Sequence, residues 1–153
     1  NFIRIHIFCL NHRKCKELKL DGSVLVSWVS ACANICSMPD TVFRFSIEPS
    51  PKLMAHQLGA QWAEPHDLAT DVDVLFLMLG FPKDLEDTCL GESGIIKQMK
   101  KGSILVDHTT SKPGLAEILY QECKKYEVGS IDAPVSGGDI GAREGKLVTM
   151  CGG

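Results

Sequence analysis

Six consecutive apolar residues, Val74-Leu75-Phe76-Leu77-Met78-Leu79, constrain this chain more than any other segment. A strand with one face in water alternates apolar with polar side chains. An unbroken run of this length instead reads as a strand covered on both faces, as in a parallel sheet layered with helices. The strand is expected over residues 72–79. Two more short runs follow at the spacing of strand–helix units: residues 103–106, entered through the turn Lys101-Gly102, and residues 128–132. A helix is expected between them. Ser111 stands as its cap, Pro113 falls in its first turn and Lys124-Lys125 in its last, where cations suit the helix dipole. Leu115, Ile118, Leu119, Cys123 and Tyr126 recur at helical spacing and read as its core-facing stripe. Alternating strand and helix signals predict an α/β fold with a doubly wound, mostly parallel sheet. Val74–Leu79 and residues 104–106 should be adjacent and central.

Upstream, residues 41–45 read as a strand, and Pro49-Ser50-Pro51 opens a helix over 52–58 that Gly59 ends. Residues 61–63 suit a short edge strand ahead of 65–70. At the front, residues 2–10 alternate like a strand, 13–20 suit a short helix, Asp21-Gly22 a turn and 24–29 another strand. A last strand is expected over 146–151.

The length of 153 residues fits one domain with a real core. A net charge of −3 gives no electrostatic reason to expect nucleic acid or an anionic membrane as partner. No stretch approaches the ~20 apolar residues of a membrane-spanning helix. Seven scattered cysteines argue for reduced thiols in an intracellular protein. His6, Cys9, His12 and Cys15 recur every third residue, a spacing that aims four side chains at one point in neither a strand nor a helix, so no metal site is expected. Arg4, Arg13, Lys14 and Lys16 against the single acid Glu17 are compatible with the end of a mitochondrial presequence. That leaves cytoplasm and mitochondrion both open. The chain starts at Asn1 and ends on Gly152-Gly153, and reads as a piece of something longer.

In a doubly wound sheet, ligands bind where loops leave the carboxyl ends of the parallel strands. Three such loops are expected to share one rim: Leu79-Gly80-Phe81-Pro82, Asp107-His108-Thr109-Thr110-Ser111, and the run beginning Ala133-Pro134-Val135-Ser136-Gly137-Gly138. Glycines let successive backbone N–H groups turn toward one point, and a serine hydroxyl adds a donor beside them. The combination suits a carboxylate or phosphate. A tight turn without a ligand is the alternative reading.

The whole string Asp132-Ala133-Pro134-Val135-Ser136-Gly137-Gly138-Asp139-Ile140-Gly141-Ala142-Arg143-Glu144-Gly145 resembles the substrate-binding signature of the β-hydroxyacid dehydrogenases. That family includes 3-hydroxyisobutyrate dehydrogenase and the glyoxylate/succinic semialdehyde reductases, and the resemblance spans roughly residues 41–153. It implies a Rossmann-like NAD(P)-binding domain. Ser136, Gly137 and Gly138 would bind the carboxylate of a small substrate, and Met78, Leu79 and Gly80 would lie against the dinucleotide. Asp107-His108-Thr109-Thr110 matches the family's Asp-x-Ser/Thr-Thr motif, so Thr109 and Thr110 join the cofactor set, with Thr110 at the nicotinamide end. His108 sits at a position variable in the family and reads as a surface or packed histidine. Arg44 occupies the region that reads a 2′-phosphate and leans toward NADP over NAD; a solvated arginine is the other reading.

Two departures stand out. The family opens with Gly-x-Gly-x-x-Gly, whereas the nearest run here is Ser27-Trp28-Val29-Ser30-Ala31-Cys32-Ala33-Asn34-Ile35, without a glycine. Residues 1–40 therefore read as a divergent or incomplete first strand–helix unit ahead of the domain at 41–153. The family's general acid/base lysine lies in a motif beyond Gly153, and its all-helical second domain is absent too. No catalytic residue is therefore expected in this chain, which by itself should be inactive. The full-length protein could form homo-oligomers. The competing reading is a non-catalytic binding or interaction domain that keeps only the Rossmann scaffold.

Overall fold

The computed structural model describes residues 4–10, 42–46, 61–62, 65–70 and 72–153. Six strands, β1 (Arg4–Leu10), β2 (Val42–Ser46), β3 (Gln61–Trp62), β4 (Val74–Leu79), β5 (Ile104–Asp107) and β6 (Gly129–Asp132), form one sheet in the order β3-β2-β1-β4-β5-β6. Every ladder between them is parallel. The expected arrangement holds: β4 and β5 are neighbours in the sheet interior, and β3 is an edge. The alternating front segment, as β1, fills the place between β2 and β4. Expectations for a helix at 13–20, a turn at 21–22, a strand at 24–29 and a helix at 52–58 lie outside the described residues.

In β4, Leu75, Leu77 and Leu79 are buried while Val74, Phe76 and Met78 are half-buried, so both faces are covered but unequally. The buried side joins Leu68 and Ala69 of α1 (Pro65–Thr70), Leu85 and Cys89 of α2 (Pro82–Cys89), and Leu119 and Cys123 of α3 (Pro113–Lys125). Ile95 and Ile96, on a short 3₁₀ helix (Ile95–Gln98), complete that layer. Burial raises the thiol of Cys123 to about 11 and that of Cys89 higher than usual, which keeps both in the apolar, protonated form.

Three local expectations are corrected. Ser111 does not cap α3: Lys112 holds the N-cap position without a side-chain bond, and Ser111 Oγ is buried with no partner. Pro113 at the first helical position fixes the entry, so the serine falls one residue too early. Ile118 is 54% exposed instead of core. At about 100° per residue it lies roughly a quarter turn off the line through Leu115, Leu119, Cys123 and Tyr126. The last expected strand shrinks to β8 (Val148–Thr149), antiparallel to β7 (Val135–Ser136) in a separate ribbon, with one antiparallel bridge from Gly152 to Asp132. Between the ribbon strands runs the one-and-a-half-turn helix α4 (Gly138–Arg143). Among the described residues, no helix is long and apolar enough to cross a membrane.

Candidate functional site

Because β1, β4, β5 and β6 are parallel, their last residues fall on one edge, with Leu10 in register beside Leu79 and Asp107 beside Asp132. At that edge the chain leaving β5 turns inward. Asp107, His108 and Thr109 are all buried, Thr109 to 1% exposure, and only Thr110 emerges. Buried polar groups at a strand end need partners, and here each finds one, either within the loop or on a neighbouring segment.

Asp107 Oδ1 accepts the backbone N–H of Thr109 at 2.9 Å, closing a local turn of the kind short acidic side chains favour. The Thr109 hydroxyl accepts the backbone N–H of Leu79 at 3.0 Å, tying the end of β4 to the loop after β5. The N–H of His108 donates to Leu77 O at 2.8 Å. On the other side, Ala133 N–H donates to Asp107 O at 2.7 Å, and Ala133 O lies 2.7 Å from His108 Nδ1. Three strand ends are thereby laced together by consecutive residues of one.

This lacing sorts the expected site residues. Gly80 and Thr110 are exposed on the rim; Met78 is half-buried and Leu79 buried. Thr109 shares their location, but its hydroxyl is spent internally, so within the threonine pair Thr110 alone offers a free face to a ligand. Ser136, Gly137 and Gly138 follow Ala133 out of the same edge and are all exposed. Gly137 has φ 127° and Gly138 φ 58°, backbone states that L side chains enter at a cost. Arg44 lies inside β2, in register with His6 and Gln61, two residues before the strand ends at Ser46, and not in the loop beyond it. The glycine-free stretch 27–35 is outside the described residues.

Sequence reasoning underused two residues. His108 is packed, as one of its two readings held, but it also bonds across to β6. The signal available was its place between Asp107 and a Thr-Thr pair at a strand end. Asp107 was noted only as a motif letter, yet it anchors both Thr109 and Ala133.

Burial is the first cause holding the Asp107 carboxyl above its ordinary range; the bonds from Thr109 oppose the rise and nearby Asp132 adds to it. A carboxyl raised in the fold stabilises most while protonated. Its contribution is complete below the unfolded value of about 3.9 and is lost as pH rises through the higher folded value. Asp107→Asn keeps an oxygen for Thr109 N–H and cannot ionise. Urea titrations across mildly acidic pH should therefore show wild type losing stability relative to the variant as pH rises through that window. A pH-independent difference would remove the assignment.

The comparisons with known proteins bear on the fold and the family. The Bacillus subtilis oxidoreductase YkwC is 46% identical over 98 residues, covering 63% of this chain and 34% of its own length. A probable 3-hydroxyisobutyrate dehydrogenase-like protein of Arabidopsis thaliana is 45% identical over 132 residues, covering 86% of this chain and 42% of its own. The chain thus spans well under half the length of these curated relatives. Among solved structures, Mycobacterium tuberculosis 3-hydroxyisobutyrate dehydrogenase shares the fold with a TM-score of 0.72 at 20% identity, over 100% of this chain and 47% of that one. The family model described as the NAD binding domain of 6-phosphogluconate dehydrogenase matches residues 29–153. The chain belongs to that family of oxidoreductase domains, among relatives that include the 3-hydroxyisobutyrate dehydrogenases.

Proposed function

We propose that this chain is the cofactor-side domain of an oxidoreductase acting on the CH–OH group of a small β-hydroxy acid such as 3-hydroxyisobutyrate, or reducing a small aldehyde acid. The observation that supports the reading is the laced rim: the parallel strands β4, β5 and β6 end at one edge, and Gly80, Thr110 and Ser136-Gly137-Gly138 lie in the segments that leave it. Bound NAD(P) would supply the hydride chemistry. Ser136, Gly137 and Gly138 hold the substrate carboxylate through a hydroxyl and backbone N–H groups. Met78, Leu79 and Gly80 lie against the dinucleotide, and Thr110 orients its nicotinamide end.

These 153 residues by themselves bind and do not turn over. None of them matches the family's lysine motif, and proton transfer by a positioned group is typically worth ~10²–10⁴ in rate. Dinucleotide affinity is low as well, because residues 27–35 lack the glycines that let a phosphate approach the backbone in the family's phosphate loop.

Calorimetry with NADH and NADPH should give dissociation constants well above the low-micromolar range; tight binding by either would refute the account of residues 27–35. For the carboxylate, ¹⁵N spectra titrated with 3-hydroxyisobutyrate should shift the amides of Ser136, Gly137 and Gly138, and its uncharged amide should not. Ser136→Ala removes one charge-assisted bond and should weaken binding roughly tenfold or more. Equal shifts from acid and amide would sink the carboxylate assignment.

A further inference from the structure

We propose that His108 is a positioning residue whose Nδ1–H holds the Ala133 carbonyl and so sets where the Ser136-Gly137-Gly138 segment leaves the sheet. Ala133 is 1% exposed, and both of its backbone groups are taken by consecutive residues of the β5 end: its N–H by Asp107 O and its C=O by His108 Nδ1, each at 2.7 Å. A carbonyl only accepts, so Nδ1 carries the proton in this contact. The imidazole is held in turn. Its ring stacks on Phe76 of β4, centroids 5.5 Å apart and planes 15° from parallel, while its own backbone N–H is bound to Leu77 O. One side chain therefore bridges β4, β5 and β6 at the rim.

What this clamp controls follows from the next residue. Pro134 has a fixed φ, so the plane of the Ala133 carbonyl leaves little freedom in the direction the chain takes. Pro134 O then accepts Met150 N–H at 2.9 Å, and the β7–β8 ribbon that carries Ser136 begins one residue later. Without a donor at position 108, the Ala133 carbonyl is left buried and unpaired, and the chain must shift to satisfy it. The clamp stands on geometry alone; its consequence for carboxylate binding rests on the function proposed above.

The test compares the ¹⁵N-labelled full chain with His108→Leu and His108→Asn. Asparagine places an amide N–H near the position of Nδ1–H; leucine offers none. In wild type the imidazole nitrogen spectrum should show Nδ1 protonated. In the leucine variant, amide exchange at Ala133 and Met150 should accelerate about tenfold beyond any change at β4 interior amides, the equivalent of about 1.4 kcal/mol. The asparagine variant should restore most of that protection. Binding of 3-hydroxyisobutyrate should follow the same order, about tenfold weaker with leucine and recovered with asparagine. A neutral ring protonated at Nε2, acceleration spread evenly through β4 and the loop, or failure of asparagine to rescue would each overturn the clamp. If the leucine variant does not fold, the wild-type ring spectrum and the asparagine variant still decide. Loss of acid binding in wild type with the exchange pattern intact would discard the carboxylate reading and leave the clamp standing.

Discussion

Leu77→Ala should lower the free energy of unfolding by about 2–5 kcal/mol in urea titrations, the range for removing a fully buried leucine. Leu77 has no exposed surface and sits in the interior of β4, with β1 and β5 paired on either side of it. The rigid parallel ladders leave the vacated space little means of collapsing, which favours the upper part of the range. Domains of this size have about 5–15 kcal/mol in all, so the variant's urea midpoint should fall by a large fraction of the wild-type value. Ile118→Ala is the matched control. That side chain is 54% exposed on α3 and its loss should cost no more than about 0.5 kcal/mol. Similar costs for the two would contradict the placement of the core.

Gly137→Ala is the change expected to damage the candidate site most. Gly137 has φ 127° and ψ −7°, a region in which an L residue is strained by about 1–3 kcal/mol. Its added Cβ would also come within 3.2 Å of Leu147 Cδ2, which must give by a few tenths of an ångström. The backbone relieves strain of this kind by rotating φ, and rotation re-aims the neighbouring N–H groups relative to the carboxylate proposed above. Carboxylate binding should fall at least tenfold. Gly138→Ala, at φ 58° with nothing within 4 Å of the new methyl, enters the milder left-handed helical region and should be the gentler substitution. Titration of both variants with 3-hydroxyisobutyrate separates the cases; equal losses would show that conformation at Gly137 is not what holds the site.

The sequence legibly specified the layered sheet, because burial on two faces imposes a continuous apolar pattern, and a run of strand length followed by further short apolar runs at strand–helix spacing favours strand over buried helix. Residues Val74–Leu79 and the α3 stripe, apart from Ile118, needed no partner to be recognised. Once those strands were parallel, the rim followed, since parallel strands deliver their carboxyl ends to one edge. The strand at β1 was visible as an alternation, but its central place between β2 and β4 was not, because sheet order is set by long-range ladders.

Finer features depended on groups far apart in the chain. Whether Ser111 caps a helix and whether Ile118 faces in turn on a shift of one residue or a quarter turn, and how far the last strand runs turns on its antiparallel pairing with β7. Local propensity does not resolve differences that small. The lacing of the rim was still less accessible. Leu79 meets Thr109 across 30 positions and His108 meets Ala133 across 25, so only the folded sheet brings those donors and acceptors within 3 Å. Sequence alone thus determined the strands β4, β5 and β6 and the edge at which the loops that follow them gather. The tertiary structure decided which residues of those loops turn inward to hold the rim together and which stay free to meet a ligand, because a buried hydrogen bond is specified by the position of both partners at once.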